Sequence, residues 1–304
     1  MGYFERFIAR FPDVKVLAAA SLDDVLGLWS GLGYYSRARN LHRTALDVMN
    51  LHGGVFPRTA HLLETLPGVG RSTAAAIASL CFGERVAILD ANVKRVVTRV
   101  AGFDSDLALA SSVHALWHTA STLLPQGRTA AADMPRYTQG MMDLGATVCL
   151  PKKPDCANCP VRPHCAAHEA GNPQCYPVRT RNIKRSSQSI WLMWAQTGAG
   201  TVWLSKRPTP GVWAGLHCLP LFENEEELLL AVPEPLRKHL QPLAAFTHVL
   251  THKDLYLHPW HLSLTEPAIK DLLWEGGQWV AADAWQALGL PAPIRKLLQP
   301  KTPD

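Results

Sequence analysis

The chain has 304 residues, is 47% hydrophobic and 18% charged, and carries a net charge of +5 at pH 7. This length allows two domains with separate cores, and the composition excludes a disordered chain. No run of about 18 apolar residues is present, and charged residues interrupt the apolar start, which excludes a membrane helix and a signal peptide. A cytoplasmic location is therefore expected. The net charge is too small to indicate a partner by itself.

The first half of the chain has a helical pattern. Up to about residue 148, apolar residues recur every three or four positions and predict helices at 14–29, 38–51, 60–66, 72–81, 93–100 and 111–124. The connections between them are short and marked by glycine. The sequence thus predicts an all-α domain over residues 1–173.

The sequence changes character after residues 174–189, a polar linker without helical periodicity. Apolar segments at 189–196, 201–207 and 254–264 alternate or cluster as strands do, and helices are predicted at 223–232 and 292–299. Residues 190–304 are therefore expected to form a smaller α+β domain.

A glycine turn joins two predicted helices in ETLPGVGRSTAAAIASL, residues 64–80. Gly68 and Gly70 permit positive φ and close backbone approach, and the turn leaves the first amides of the second helix pointing outward. Such amides bind phosphate. An ordinary αα-hairpin with a glycine turn is the equally open alternative.

Four of the seven cysteines lie close together, with the spacing C-x6-C-x2-C-x5-C at Cys149, Cys156, Cys159 and Cys165. Four thiolates on one loop suit a tetrahedral zinc ion or a [4Fe–4S] cluster. Zinc ribbons usually pair two C-x2-C units, and only one is present here, which favours the cluster. The basic residues of this loop, Lys152, Lys153 and Arg162, suit phosphate contact, although solvated surface charge explains them as well.

Two further segments combine residue types that suit a nucleic acid. GLGYYSRARN, from residue 31, places Tyr34, Arg37 and Arg39 after freely turning glycines, which fits insertion of an aromatic ring into a base stack, unless the tyrosines belong to the core edge. VAILDANVKR, from residue 86, ends an apolar run at Asp90 before a basic helix. Asp90 suits either a helix N-cap or a catalytic carboxylate.

The order of these motifs resembles the adenine DNA glycosylases, a family of helix-hairpin-helix enzymes with an iron–sulfur cluster. The hairpin LPGVG, LDANVKR, MMDLGATVC before the cysteine loop, and GLGYYSRARNLH carry the resemblance, which covers nearly the whole chain. It implies a mostly α fold followed by a Nudix-like domain. It also implies a monomeric base-excision repair enzyme of the nucleoid that acts on double-stranded DNA with A:8-oxoguanine or A:G mispairs.

The resemblance assigns roles around the scissile bond. Asp90 would stabilise positive charge on the sugar, and Asn92 would lie close to that sugar. Ser72 stands where related glycosylase/lyases of the endonuclease III type carry a lysine nucleophile, which implies a monofunctional glycosylase. Lys94 would contact phosphate. Ala91 replaces the glycine that is usual after the aspartate.

The resemblance also assigns the DNA-holding residues. Tyr34 would be the wedge in the stack, and Gly68, Val69 and Gly70 would grip the backbone together with the cysteine loop. In the Nudix-like domain, Thr251 and His252 match the loop that contacts 8-oxoguanine, although Leu250 replaces the usual phenylalanine. No cluster of Nudix-box glutamates follows Gly211, so pyrophosphatase activity is not expected.

One family feature is missing from the sequence. The glutamate that protonates adenine lies in an E-x-M-L-Q-Q-T-like run, and this chain begins just downstream of the matching stretch. On the first predicted helix, Phe4, Phe7, Ile8 and Phe11 mark the buried face, which places Glu5 toward solvent, where it does not replace that acid. A start assigned too far downstream is the favoured explanation. This chain is therefore expected to be impaired in catalysis. A non-catalytic iron–sulfur DNA-binding remnant and an endonuclease III-like glycosylase/lyase are the alternatives.

Overall fold

The computed structural model describes residues 2–180, 185–265, 274 and 276–299. It divides into two compact units, one formed by Met1–Leu46 with Ile183–Asp304 and the other by Asp47–Asn182. The first 46 residues thus belong to the same unit as the C-terminal part of the chain. The predicted domains, 1–173 and 190–304, are continuous segments of the chain, and their bounds stay a prediction.

The described residues form twelve α-helices. Their bounds are α1 Tyr3–Arg10, α2 Val14–Ala19, α3 Leu22–Leu28, α4 Tyr35–His52, α5 Ala60–Leu63, α6 Arg71–Phe82, α7 Ala91–Ala101, α8 Ala110–Thr122, α9 Ala130–Asp143, α10 Ala166–Glu169, α11 Glu225–Leu230 and α12 Ala292–Leu298. Helices occur in all the segments where the sequence predicts them, but the segment 14–29 is divided into α2 and α3. The division arises because Ser21 caps α3, its Oγ accepting a hydrogen bond from Asp24 N at 3.0 Å. None of the helices in the described part of the chain has the length and hydropathy that a bilayer crossing requires.

One apolar core holds the unit Asp47–Asn182 together. The run before Asp90 packs at residues 87–89 against Val93 and Val97 of α7, Leu116 of α8 and Met134 of α9. After α9, the π-helical turn Leu144–Val148 leads into the cysteine loop. This packing fixes the start of α7 and the start of the cysteine loop in one framework.

The other unit contains a mixed sheet of eight strands within the described residues. They are β1 Ser186–Thr197, β2 Val202–Lys206, β3 His217–Cys218, β4 Leu221–Phe222, β5 Leu240–Pro242, β6 Phe246–Val249, β7 Lys253–Leu264 and β8 Gly277–Val280. The main path is β3-β2-β1-β7-β5, with β4 on β1, β6 on β7 and β8 on β2. Only β1 and β7 pair in parallel; the other pairs are antiparallel. The sequence correctly predicts β1, β2 and β7, but β1 begins within the predicted linker.

Apolar residues cover both faces of this sheet. On β1, Ile190 and Leu192 face one core, whereas Met193 and Ala195 face the other. A strand covered on both faces carries a nearly continuous apolar run instead of a clean alternation. This explains the pattern SIWLMWAQ. The predicted order, a mostly α part followed by a smaller α+β part, is confirmed.

The predicted buried face of α1 is partly wrong. Phe4 is 77% exposed and Ile8 45% exposed, whereas Phe11 is 3% exposed. The helix packs along the side of Phe7, whose ring lies 5.1 Å from the Phe11 ring and 5.8 Å from the Trp29 ring, both edge-on. Ile8 is turned about 100° from Phe7 around the helix. Glu5 is exposed, as predicted.

Candidate active site

Asp90 ends the buried run and begins α7. Its Oδ1 accepts a hydrogen bond from Val93 N at 2.7 Å, which makes it the N-cap of the helix. The side chain is exposed, and no other hydrogen bond to it occurs within the described residues. One carboxylate oxygen thus fixes the side chain at the helix start while the other stays available to a ligand. The two readings of Asp90, cap and catalytic carboxylate, are therefore compatible.

Ser72 holds the residue that precedes Asp90. Its Oγ accepts a hydrogen bond from Leu89 N at 3.1 Å, and the side chain is half-buried in the first turn of α6. The hydroxyl thus ties the second helix of the hairpin to the segment that presents the carboxylate. The sequence singles out Ser72 because related glycosylase/lyases carry a lysine at this position. The structure adds the hydrogen bond from Leu89 N to the Ser72 hydroxyl.

Asn92 is fixed by a buried arginine that sequence analysis missed. Arg95 is 7% exposed and donates from Nη2 to Asn92 Oδ1 at 3.1 Å and to Gly145 O at 2.6 Å. Its Nε donates to Cys149 O at 2.7 Å. The guanidinium therefore links the first turn of α7 to the π-helical turn and to the first cysteine of the loop.

The four cysteines line one cavity of about 340 Å³, which includes its open mouth. The cavity walls are mainly apolar, with Val96, Val100, Leu144, Val148 and Val161 among them. Burial raises the pKa of the Cys156 thiol, and the nearby thiols of Cys165, Cys159 and Cys149 raise it further. In the described residues no three of the His, Cys, Asp and Glu side chains are arranged around a single metal ion. Four thiols on one cavity are a donor set that could hold a [4Fe–4S] cluster or a zinc ion.

A second buried arginine, Arg99, lies beside this cavity and is only 1% exposed. Its guanidinium donates to Pro173 O at 2.7 Å, Leu150 O at 2.7 Å, Pro151 O at 3.0 Å and Cys149 Sγ at 3.3 Å. No carboxylate pairs with it among the described residues. A buried cation needs negative charge or many acceptors, and Arg99 has three main-chain carbonyls and the Cys149 sulfur as acceptors.

The hairpin leaves the start of α6 without a side-chain cap. Gly68 adopts a φ of +73°, and Gly70 is the N-cap of α6 with no side-chain cap. A Cβ on Gly70 would have no neighbour within 4 Å, and Val69 is half-buried between the glycines. Beyond the hairpin, the Arg71 guanidinium stacks 3.9 Å above the Trp117 ring.

Three predicted phosphate contacts have free cationic groups. Lys152 and Arg162 are exposed and Lys94 is half-buried. In the described part of the chain, none of these side chains forms an ion pair or a hydrogen bond. Their contact with DNA stays a prediction.

Tyr34 belongs to the other unit and stands on the loop before α4. It adopts a positive φ of 47° and is 60% exposed. Its hydroxyl lies 3.0 Å from Thr251 Oγ1, and the Arg37 Cζ lies 4.8 Å from the centre of its ring. The predicted wedge and a predicted lesion contact therefore meet within one unit. Arg39, predicted to contact DNA, donates from Nη1 to Ala214 O at 2.6 Å instead of pointing freely outward.

Thr251 and His252 are exposed in the turn between β6 and β7. Arg185 holds this turn, because its guanidinium donates to Thr251 O at 3.1 Å and to Leu250 O at 2.9 Å and also pairs with the carboxylate of Asp254. The predicted lesion contacts thus stand on a braced turn, and their role stays a prediction.

Comparisons with known proteins agree with this arrangement. Residues 1–117 match the model of the HhH-GPD superfamily of base excision DNA repair proteins, and residues 190–300 match a NUDIX domain. The adenine DNA glycosylase of Buchnera aphidicola subsp. Acyrthosiphon pisum is 35% identical over 98% of this chain and 84% of its own length. The rat adenine DNA glycosylase is 31% identical over 98% of this chain and 67% of its own length. A thermostable thymine-DNA glycosylase structure, 30% identical, aligns with 55% of this chain and 75% of its own, with a TM-score of 0.47.

The similarity extends through both parts of the chain and preserves their order. Such a relationship accounts for the hairpin, the Nudix-like sheet and DNA as the binding partner. The chain belongs to the adenine DNA glycosylase (MutY) family, whose members hydrolyse an N-glycosidic bond of DNA in base excision repair.

Proposed function

We propose that this glycosylase removes adenine paired with 8-oxoguanine or guanine in duplex DNA, with Asp90 as the residue that stabilises the charge of the transition state. The observation that carries the proposal is the Asp90 carboxylate, held by Val93 N through one oxygen and exposed through the other. We further propose that the chain acts as a monomer on the DNA of the nucleoid in the cytoplasm.

The electrostatic reason for this role is the positive charge that grows on the sugar as the bond to adenine breaks. A carboxylate already fixed near that charge stabilises it without reorganising, and removing such a group typically slows a reaction by about 10²–10³-fold. Capping α7 fixes the Asp90 side chain, and the bond from Leu89 N to Ser72 Oγ fixes the main chain before it.

The absence of lyase chemistry follows from Ser72. A Schiff base with the sugar requires an amine, and a hydroxyl that accepts the Leu89 amide cannot form one. Lys94, on the same first turn as Asn92, keeps a free ammonium group for a phosphate of the bound strand. Water is therefore the final nucleophile in this proposal.

Adenine must leave the base stack before it reaches Asp90, at a cost of a few kcal/mol. Tyr34 would fill the space in the stack. The amides around Gly68, Val69 and Gly70, together with Lys152 and Arg162 and the exposed Arg37, would hold phosphates. Thr251 and His252 would contact the oxidised guanine, and the contact between the Tyr34 and Thr251 hydroxyls supports a joint role of the two turns.

An iron–sulfur cluster is expected of this family in general. Cys149, Cys156, Cys159 and Cys165 would hold a [4Fe–4S] cluster here, because they line one cavity beside a buried arginine. The cluster would cross-link the loop that carries Lys152 and Arg162. Arg95 and Arg99 join this loop to α7, which begins at Asp90.

The test is binding to a charged mimic of the breaking sugar. Two duplexes carry, opposite 8-oxoguanine, either a protonated pyrrolidine in place of the sugar or the neutral tetrahydrofuran analogue. We expect the chain to prefer the cationic duplex by about tenfold or more, since transition-state mimics bind more tightly than neutral ground-state analogues. Asp90→Asn should remove this preference while keeping the helix cap, because asparagine caps as well as aspartate.

Asp104→Asn is the matched control, an exposed carboxylate of the same unit whose loss should leave the preference unchanged. An equal preference in wild type and Asp90→Asn would refute the role of Asp90. Borohydride reduction in the presence of adenine-containing duplex should give no cross-linked protein. A cross-link in good yield would refute the monofunctional assignment.

A further inference from the structure

The loop that presents Tyr34 is fastened at its base to the C-terminal segment 286–295, in the same compact unit. The Tyr35 hydroxyl donates to Leu290 O at 2.9 Å, and the Tyr35 hydroxyl oxygen accepts from Gly31 N at 3.2 Å. Ser30 also donates from Oγ to Leu290 O, at 3.3 Å. One carbonyl of the C-terminal segment therefore receives a hydroxyl from each end of the loop.

Arg295 of α12 completes this attachment. Its Nε donates to Ser30 Oγ at 3.0 Å, its Nη1 to Gln286 O at 3.0 Å and its Nη2 to Leu288 O at 2.7 Å. The guanidinium thus holds the turn before α12 and also binds Ser30, the first residue of the loop that carries Tyr34. A planar guanidinium with fixed donors is suited to hold three acceptors in one geometry.

Backbone packing leaves this region little room to shift. A Cβ on Gly27 of α3 would lie 2.2 Å from Ala287 O, and a Cβ on Gly289 would lie 2.8 Å from Leu26 Cβ. Inside the loop, Trp29 Nε1 donates to Gly33 O at 3.0 Å. The residues on both sides of Tyr34 are therefore fixed by contacts that Tyr34 itself does not make.

The conformation of Tyr34 explains why such support is needed. A non-glycine residue with a φ of 47° is uncommon, and such backbone conformations persist where the surroundings determine them. A ring that is 60% exposed contributes little packing of its own. The position of the Tyr34 ring therefore depends on the contacts between its loop and segment 286–295.

We propose that Ser30 and Arg295 are positioning residues for the wedge: segment 286–295 of the C-terminal part sets the placement of Tyr34 and so controls how readily the target adenine is extruded. This inference rests on the proposed insertion of Tyr34 into the base stack. It makes the C-terminal part a determinant of base extrusion as well as of lesion contact.

The experiment measures extrusion directly, without the chemical step. Duplexes carry 2-aminopurine in place of the target adenine opposite 8-oxoguanine, and its fluorescence rises when it leaves the stack. Tyr34→Ala should suppress the rise. Ser30→Ala and Arg295→Gln should each lower the extrusion equilibrium by about threefold or more, since each removes at least two hydrogen bonds that hold the loop or the segment beneath it.

A double-mutant cycle separates positioning from general destabilisation. If the two residues act through the wedge, Ser30→Ala and Arg295→Gln will have no further effect in the Tyr34→Ala background. Arg237→Gln is the matched control, because Arg237 also donates to a main-chain carbonyl of this unit, Val232 O at 3.0 Å, but within its own segment. It should leave the fluorescence unchanged.

The outcomes distinguish this inference from the function on which it rests. Normal extrusion by Ser30→Ala and Arg295→Gln, with extrusion lost in Tyr34→Ala, would overturn the positioning role and leave the wedge intact. Effects that add to that of Tyr34→Ala would overturn it as well, since they would act elsewhere. Normal extrusion by Tyr34→Ala would overturn the wedge and the inference together. If Arg295→Gln does not fold, the milder Ser30→Ala decides alone.

Discussion

The start of α7 and the turn that carries Thr251 are held in place in different ways. Around Asp90, the supporting side chains are buried arginines, Arg95 and Arg99, which donate almost entirely to main-chain carbonyls. Around Thr251, the support is an exposed side chain, Arg185. A group that stabilises one transition state gains from a rigid environment, whereas groups that enter a base stack must stay exposed.

The largest effect on stability is expected at Arg99. Arg99→Leu should lower the free energy of unfolding by about 3–5 kcal/mol, because carbonyls of Leu150, Pro151 and Pro173 lose their buried donor. Chemical denaturation followed by circular dichroism measures the loss. The visible absorbance of the purified protein should fall in parallel if the cysteine loop holds its cluster.

Arg43→Leu is the control for Arg99→Leu, since Arg43 is an exposed arginine on α4. Its replacement should change the unfolding free energy by no more than about 0.5 kcal/mol. Equal effects of the two substitutions would contradict the view that buried donors hold the start of α7 and the cysteine loop together.

A smaller effect is expected where the π-helical turn meets α7. Gly145→Ala would place its Cβ 2.9 Å from Asn92 Cβ and 3.2 Å from Asn92 O, so the turn or the helix must move. Overpacking of this kind costs about 1–3 kcal/mol. The displacement of Asn92 should also weaken the preference for the cationic duplex.

Gly140→Ala provides the matched comparison for Gly145→Ala. Gly140 lies within α9, and a Cβ there would meet nothing within 4 Å. Alanine in a helix interior is favoured over glycine by about 0.5–1 kcal/mol, so Gly140→Ala should raise the unfolding midpoint. Two glycine-to-alanine changes five residues apart should thus have opposite signs, and equal signs would exclude close packing as the cause.

The sequence identifies the candidate site residues better than the residues that support them. Asp90, the hairpin glycines and the four cysteines stand in motifs whose spacing carries chemical meaning, and the structure places them in suitable surroundings. Arg95 and Arg99 were missed because arginines four residues apart on a helix are typical of an exposed basic face. Val93 and Val97, the valines of this helix that pack in the core, lie about 200° around the helix from the two arginines and gave no signal that the arginine face is buried.

The limits of sequence patterns also show in α1 and in the loop before α4. Helical periodicity identifies apolar residues but not how much surface the neighbours offer, which is why Phe4 and Ile8 are exposed. Likewise, contacts from Ser30 and Tyr35 to Leu290 join residues about 260 positions apart in the chain. No local pattern predicts pairs at that separation.

Arg185 supports the turn that carries Thr251 and His252 from the surface. Its removal should affect the recognition of the duplex more than the stability of the protein. Arg185→Ala should lower the unfolding free energy by less than about 1 kcal/mol, because its ion pair with Asp254 is exposed. The turn loses its donor to Leu250 O and Thr251 O, so the preference for 8-oxoguanine over guanine opposite adenine should fall several-fold in duplex binding.

Lys206→Ala is the control for Arg185→Ala, since it removes another exposed ion pair of this unit, with Asp23 at 2.6 Å. It should cost similarly little stability and leave the duplex preference unchanged. A loss of preference in both variants would show that surface charge, and not the shape of the turn, controls recognition.

The smallest effect is expected at an exposed contact in the same compact unit as Arg99. It tests whether the stability that a contact adds depends on its burial and not on the unit in which it lies. Asp106 lies in the unit of Arg99, but at the surface, where it accepts from Thr180 Oγ1 and from Ala108 N at 2.8 Å. The Thr180 hydroxyl, with the Ala108 amide, lowers the pKa of this carboxyl below its usual range. A carboxyl with a lowered folded-state pKa adds stability above its unfolded pKa of about 3.9 and loses it as the pH falls through the folded value.

Wild type should therefore lose slightly more stability than Asp106→Asn when the pH falls from about 5 to about 2, as urea denaturation at each pH would show. Asp104→Asn, two residues away and exposed, should follow the wild-type curve. A pH dependence of Asp106→Asn as steep as that of wild type would mean that the Thr180 contact does not persist in solution. A difference as large as the effect of Arg99→Leu would instead show that exposed and buried contacts support this unit equally, and the contrast between the two regions would fail.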